Sequence, residues 1–167
     1  AALAARAPGT CQVTSLRATS VQGASRQTTA SLVRVASTPL SSVAGRGESP
    51  SPVSSVDALC AFVLAAGRYS GSVPPVILQP WEGATVASVL SAAGGRRPLH
   101  LPVWLCRAAL RAGYLVSGLL GERLHGTLRR LEMMWFGQRQ EPGWAEATGN
   151  VPAPRVHQVL EAARKRA

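Results

Sequence analysis

Strand-like and helix-like segments alternate along the first half of this 167-residue chain and helices fill most of the second, which predicts an α/β fold. Two observations carry that reading. The apolar run at 75–79 is short and bounded by proline, as a strand buried in a parallel sheet would be. The run beginning at Thr85 places Val86, Val89, Leu90 and Ala93 at three-four spacing and stops at Gly94 and Gly95, as an amphipathic helix would.

Taken in order, residues 1–47 carry Arg6, Arg17, Arg26, Arg34 and Arg46, many Ser and Thr, and no acid, a composition similar to an organellar transit peptide. Within them, 11–18 alternates like a strand and 30–36 carries Leu32, Val33 and Val35 like a short helix. Residues 37–52, rich in Ser, Pro and Gly, read as a flexible loop that covers something. Ser55 and Asp57 can cap a helix with Leu59, Phe62, Val63 and Ala66 on its apolar face. A strand over 75–79, the helix from Thr85 and an extended piece at 99–101 follow. Pro102 suits the first turn of a long helix with Trp104, Leu105, Ala108, Ala112, Leu115 and Val116 on one face. After a glycine break at Gly118 and Gly121, Leu124, Leu128, Leu131 and Trp135 mark another helix. The run 142–154 reads as turns, and a last helix buries Val156, Val159, Leu160 and Ala163. This divides into residues 1–72, the last strands and helices of an α/β part, and 73–167, a mainly helical part.

Composition excludes several function classes. Eighteen bases oppose eight acids for a net charge of +10, yet seventeen of the bases are Arg, scattered along the chain, with aromatics at only 5%. A nucleic-acid groove interleaves clustered bases with stacking rings, so nucleic-acid binding is disfavoured, and a basic RNA-associated protein is the third-ranked reading. No apolar run approaches the roughly 20 residues of a membrane span. Cys11, Cys60 and Cys106 are odd in number and far apart, which argues against a disulfide framework or zinc site and for a reducing compartment. The lone Lys165 rules out a G-x4-G-K phosphate loop, and no G-x-S-x-G elbow occurs. His100, His125 and His157 are isolated, and a single Asp leaves paired-carboxylate chemistry without candidates. Gly45-Arg46-Gly47 has Pro50 where a dinucleotide loop needs its third glycine, so it reads as a turn. Trp81, Trp104, Trp135 and Trp144 are each of a type that can stack a nucleotide base, but Trp104 and Trp135, at helical spacing, read as core anchors.

Several segments together resemble the C-terminal half of an extended short-chain dehydrogenase/reductase, the NAD-dependent epimerase/dehydratase family. Residues 13–23, V-T-S-L-R-A-T-S-V-Q-G, are similar to the family's strand and loop ending L-R-P-x-x-V-Y-G, with Ala18 for Pro and Gln22 for Tyr. Gly45-Arg46-Gly47 and residues 52–61 resemble G-x-G…V-H-V-D-D-x-x-x-A, with Asp57 at the second Asp and Ala61 at the Ala. Residues 77–90, Gly95-Arg96-Arg97-Pro98 and 101–105 are similar to the strand, helix and G-R-x-P…V-P-x-W-L run of the substrate domain, and 130–138 also looks familial.

The resemblance implies a Rossmann-like fold whose N-terminal half holds NAD or NADP and the Tyr-x3-Lys pair, while this half closes over a sugar nucleotide. Neither Tyr69 nor Tyr114 has Lys four residues on; Val73 and Gly118 stand there. That Lys is what lowers the Tyr pKa for proton transfer, so the intact parent is expected to be the enzyme, with this chain alone inactive and without cofactor. The resemblance places the loop 18–23 beside nicotinamide and sugar, with backbone contacts at Ala18 and Val21. Arg46 and Arg130 are candidates for the substrate diphosphate, because guanidinium forks match phosphate oxygens. Expected partners are the sugar nucleotide, the missing Rossmann half and a second copy in a homodimer. The expected location is cytoplasmic, or an organellar matrix. The rival reading is a non-catalytic structural subunit of the same fold.

Overall fold

The computed structural model describes residues 13–39 and 41–166. The acid-poor stretch 1–12, with Cys11 and the first part of the strand expected at 11–18, lies outside them. The chain is mixed α/β, in the order β1 (Ser15–Arg17), β2 (Ser20–Gln22), α1 (Gln27–Ala36), β3 (Ser42–Ala44), β4 (Val53–Ser55), α2 (Val56–Arg68), β5 (Val76–Leu78), α3 (Val86–Gly94), β6 (Leu99–Leu101), α4 (Val103–Leu119), α5 (His125–Phe136), α6 (Trp144–Thr148) and α7 (Val156–Arg164). The six strands form three two-stranded sheets, β1 with β5, β2 with β4 and β3 with β6. All three pairings are parallel. Parallel neighbours need crossover connections, and here helices and other strands supply them. Two pairings, β1–β5 and β3–β6, join residues on opposite sides of the 72/73 division.

The main core lies where α3, α7 and α1 meet. Val33 and Ala36 from α1, Val89, Leu90 and Ala93 from α3, and Val156, Leu160 and Ala163 from α7 are buried together. Gly94 lets α1 and α3 approach, since a Cβ there would stand 2.3 Å from the Ala36 carbonyl oxygen. Of the helices in and beside this core, α3 and α2 carry side-chain caps, while α1 starts without one. Thr85 and Ser88 form a reciprocal capping box on α3, and Gly95 closes that helix in the left-handed region at φ +71°. Ser55 Oγ accepts from the Ala58 amide at the start of α2. Two smaller clusters complete the interior, one of Phe62, Val73, Ile77 and Ala145, the other of Ala44, Cys106, Leu110 and Trp135.

Four expectations are corrected. The flexible loop at 37–52 contains β3, buried throughout, because its small residues leave room for Trp135, whose indole N–H donates to Ser42 Oγ at 3.2 Å. The loop at 18–23 contains β2, since Ser20, Val21 and Gln22 pair with Val53, Ser54 and Ser55. The turn run 142–154 contains α6, whose Trp144 packs against Phe62 and, edge-on, Tyr69. Finally, α4 turns the other way. Its buried residues are Cys106, Leu110 and Ser117, while the expected apolar face, Trp104 included, is exposed. The packed side is the one on which Cys106 and Leu110 join Ala44 and Trp135, and on that side Gly113 faces Leu128 of α5. Trp135, by contrast, is a buried anchor.

Candidate functional site

Ligand crevices in open parallel sheets form outside the carboxyl ends of the strands, where successive connections diverge. In this chain β1 and β5 end together, Arg17 level with Leu78, and Gln79 N donates to Arg17 O at 2.9 Å. Immediately beyond them opens a cleft of about 510 Å³ lined by Arg17, Ala18, Thr19, Ser20, Pro52, Leu78, Met133 and residues 138–141.

Behind Thr19, one of the lining residues, lies a buried polar network. Gln79 is fully buried, accepts at Oε1 from the Thr19 amide (3.3 Å) and donates from Nε2 to Ser54 Oγ (2.6 Å). The Thr19 and Ser54 hydroxyls stand 2.6 Å apart. A buried amide with both ends engaged cannot rotate without leaving a polar atom unpaired, so this network is held in one arrangement. The rim comes from the chain leaving α5. Gly137, at φ +65°, sits so close to Pro50 that a Cβ would meet its carbonyl oxygen at 2.1 Å. Only glycine fits there. The chain then runs beside Pro50, with Gln138 N donating to its carbonyl at 2.8 Å, and Gln140 Nε2 reaches the Gln79 carbonyl at 2.8 Å. Arg17 and Arg139 bring two cations to the cleft, and Glu141 one carboxylate.

Of the residues singled out in the sequence, Ala18 lines this cleft. Val21 lies one strand over, half-buried in β2 opposite Ser54. Arg130 is exposed on α5, three residues before the cleft-lining Met133 and therefore near the same helix face. Arg46 is exposed in the turn after β3, between Gly45 (φ +61°) and Gly47 (φ +68°), and does not line the cleft. That turn leads to no helix, and the Gly47 carbonyl accepts from Ala87 N of α3. It offers no cradle of amides to a dinucleotide pyrophosphate.

Sequence reading missed Gln79, Arg139 and Gln140, which belong to no motif and become neighbours only through the β1–β5 register and the turn at Gly137. It also missed Glu82. One oxygen of Glu82 accepts from Ser55 N and Ser55 Oγ, the other from Arg155 N and, at 2.6 Å, Val156 N, so a single carboxylate serves the N-termini of both α2 and α7. One of only eight acids in a chain of net charge +10 was a signal available in the sequence.

The groups with displaced pKa values lie elsewhere. Burial pushes the Cys106 thiol up. On α5, hydrogen bonds from Arg129 and then Tyr114 hold the Glu132 carboxyl below the usual carboxylate range. Among the described residues no group of three or more His, Cys, Asp or Glu could hold a metal ion, and no helix is long and apolar enough to cross a membrane. No family model, curated protein or solved structure matches this chain.

Proposed function

We propose that this chain is the substrate-side part of an NAD(P)-dependent sugar-nucleotide epimerase or dehydratase, with the cofactor loop and Tyr-x3-Lys carried by a separate Rossmann half. The observation that carries the reading is the cleft at the carboxyl ends of the parallel strands β1 and β5, with Ala18, two arginines and several hydroxyl and amide side chains in its lining. The cleft offers hydroxyl and amide groups of the kind that bind a sugar, and Arg17 and Arg139 for a diphosphate. A second observation agrees with a separate half. Val76 and Leu78 of β5 and Val63 and Leu64 of α2 are exposed, and the β1–β5 sheet has only two strands among the described residues. An extended sheet would cover such faces. In this reading Ala18 and Val21 border the nicotinamide, the cofactor supplies hydride transfer, and Arg130 stands one helical turn from the diphosphate.

The coding sequence upstream of Ala1 tests the division of labour. It is expected to contain G-x2-G-x2-G and Tyr-x3-Lys; a start codon directly before Ala1 would favour the non-catalytic subunit. With the halves co-expressed, Arg139→Ala is expected to weaken sugar-nucleotide binding about tenfold or more, the scale of one charge-assisted hydrogen bond, while NAD affinity stays unchanged. Arg130→Ala is expected to act in the same direction. Equal sugar-nucleotide titrations for wild type and both variants would overturn the cleft assignment. Micromolar NAD binding by the 167-residue chain alone would overturn the claim that the cofactor half is separate.

A further inference from the structure

The exposed side of α4 is apolar and basic at once. Packing places Cys106, Leu110 and Ser117 inward. At ~100° of rotation per residue the opposite side carries Trp104, Leu115 and Leu119, with Ala108 and Ala112 between them. Trp104 is 70% exposed, Leu115 73% and Leu119 88%, values that put these side chains in solvent rather than at the edge of a core. Soluble surfaces rarely hold so continuous an apolar stripe without a partner. The stripe has one charged flank. Arg107 and Arg111, one turn apart, border it, and α4 contains no acid. Trp104, Arg107 and Arg111 line a single depression of about 510 Å³, with the Arg107 guanidinium also 6.0 Å from the centre of the Phe136 ring. The hairpin of α4 and α5, residues 103–136, adds Arg123, Arg129 and Arg130 against only Glu122 and Glu132.

We propose that α4 is a membrane-surface helix that lies in the headgroup plane of an anionic bilayer, independently of the sugar-nucleotide reading. Trp104, Leu115 and Leu119 enter the acyl boundary, and Arg107 and Arg111 meet lipid phosphates beside the indole. Charge complementarity selects this occupant. A second copy of the chain would bring the same arginines against one another, whereas an anionic surface neutralises them. The helix is too short and too charged to span, and an amphipathic helix with basic flanks and an indole at its edge is the kind that lies on a bilayer instead.

Flotation of the 167-residue chain with vesicles of equal parts phosphatidylglycerol and phosphatidylcholine tests this, with pure phosphatidylcholine vesicles as the neutral control. The chain is expected to float with the anionic vesicles and not with the neutral ones, and to be released substantially at about 1 M salt, where the Debye length falls to ~3 Å. The double variant Leu115→Ser/Leu119→Ser is expected to lose at least roughly tenfold in partitioning, the scale of withdrawing two buried leucines. Since both side chains are in solvent, its thermal melt should match wild type. Tryptophan emission should shift to the blue on the anionic vesicles, and that shift should vanish in Trp104→Phe. Absence of flotation with anionic vesicles would overturn the proposal, as would wild-type flotation by the leucine variant. Sedimentation as a dimer that the leucine substitutions dissociate, without vesicle binding, would overturn it in favour of self-association.

Discussion

The helices α3 and α4 look alike as sequences and behave as opposites. Both carry apolar residues at three-four spacing, yet α3 buries five residues in nine, whereas α4 buries three in seventeen. α3 is enclosed because α1, α7 and the α5 side all pack on it, and Gly94 brings α1 within backbone contact. α4 packs mainly on α5, with Cys106 and Leu110 also clustered against Ala44 of β3. Capping differs in part in the same sense, although α1 of the core also starts without a side-chain cap. α2 and α3 have side-chain caps, and α7 receives Glu82 at its N-terminus. Pro102 and Leu124 precede α4 and α5 without any side-chain cap. Periodicity therefore reports that a helix has an apolar face, and the neighbours decide whether that face is interior.

The largest expected effect separates the two regions directly. Leu160→Ala removes a fully buried side chain from the α1–α3–α7 core and is expected to cost about 2–5 kcal/mol in denaturant unfolding. Leu115→Ala on α4 is expected to stay within about 0.5 kcal/mol, since no cavity forms at an exposed site. Comparable losses for the two would mean that the α4 face is covered and would break the comparison.

Capping gives the next contrast. Glu82→Gln keeps one acceptor oxygen but removes the charge shared by the starts of α2 and α7, and is expected to cost about 1–3 kcal/mol. A loss below about 0.5 kcal/mol would show that solvent replaces the carboxylate at both helix ends.

What could be read in advance divides along the same line. The α/β class, the helix opening at Thr85, its stop at Gly94 and Gly95 and the buried face of α3 were legible, the helix because its signals lie within about one turn of one another. The face of α4 was not. The side that packs is the one whose Cys106 and Leu110 meet Ala44 and Trp135, contacts with residues far along the chain that periodicity does not encode. β2 and β3 escaped notice because each holds a single valine between polar or small residues, and partners far along the chain make them strands. In the cleft, Ala18 was reached through a resemblance of residues 13–23. Gln79, Arg139 and Gln140 required the tertiary register.

Two glycine-to-alanine substitutions sharpen the comparison further. At Gly94 the new methyl meets the Ala36 carbonyl, part of a backbone that cannot move without shifting α1, and a loss of about 1–3 kcal/mol is expected. At Gly113 it meets only the end of the half-buried Leu128 side chain, which has room to rotate. There the helix-propensity gain of about 1 kcal/mol over glycine competes with a small repacking cost, so the net change should lie near zero or be stabilising. Equal destabilisation at both sites would show that α4 and α5 are as rigidly docked as α1 and α3.

The smallest effect concerns the polar seam between α4 and α5. Arg129 donates to Glu132 at 2.8 Å and the Tyr114 hydroxyl donates to the same oxygen at 3.0 Å. Both hold the Glu132 carboxyl below the range it occupies in the unfolded chain, near 4.3 for an ordinary Glu, Arg129 being the larger cause. The unfolded state therefore takes up a proton at a higher pH than the folded state. The stability this provides is fully present above the unfolded value and is lost as pH falls through the lowered folded one. Glu132 is 34% exposed and Arg129 60%, so solvent screens the pair and the effect should be modest. Thermal melts between about pH 6 and 3 should fall less steeply for Glu132→Gln than for wild type. Tyr114→Phe keeps the Arg129 bond and should retain most of the wild-type slope. Superimposable acid limbs for wild type and Glu132→Gln would show that the seam contributes nothing to holding α4 on α5, leaving the small-residue crossing at Gly113 and the Trp135 cluster to hold the hairpin.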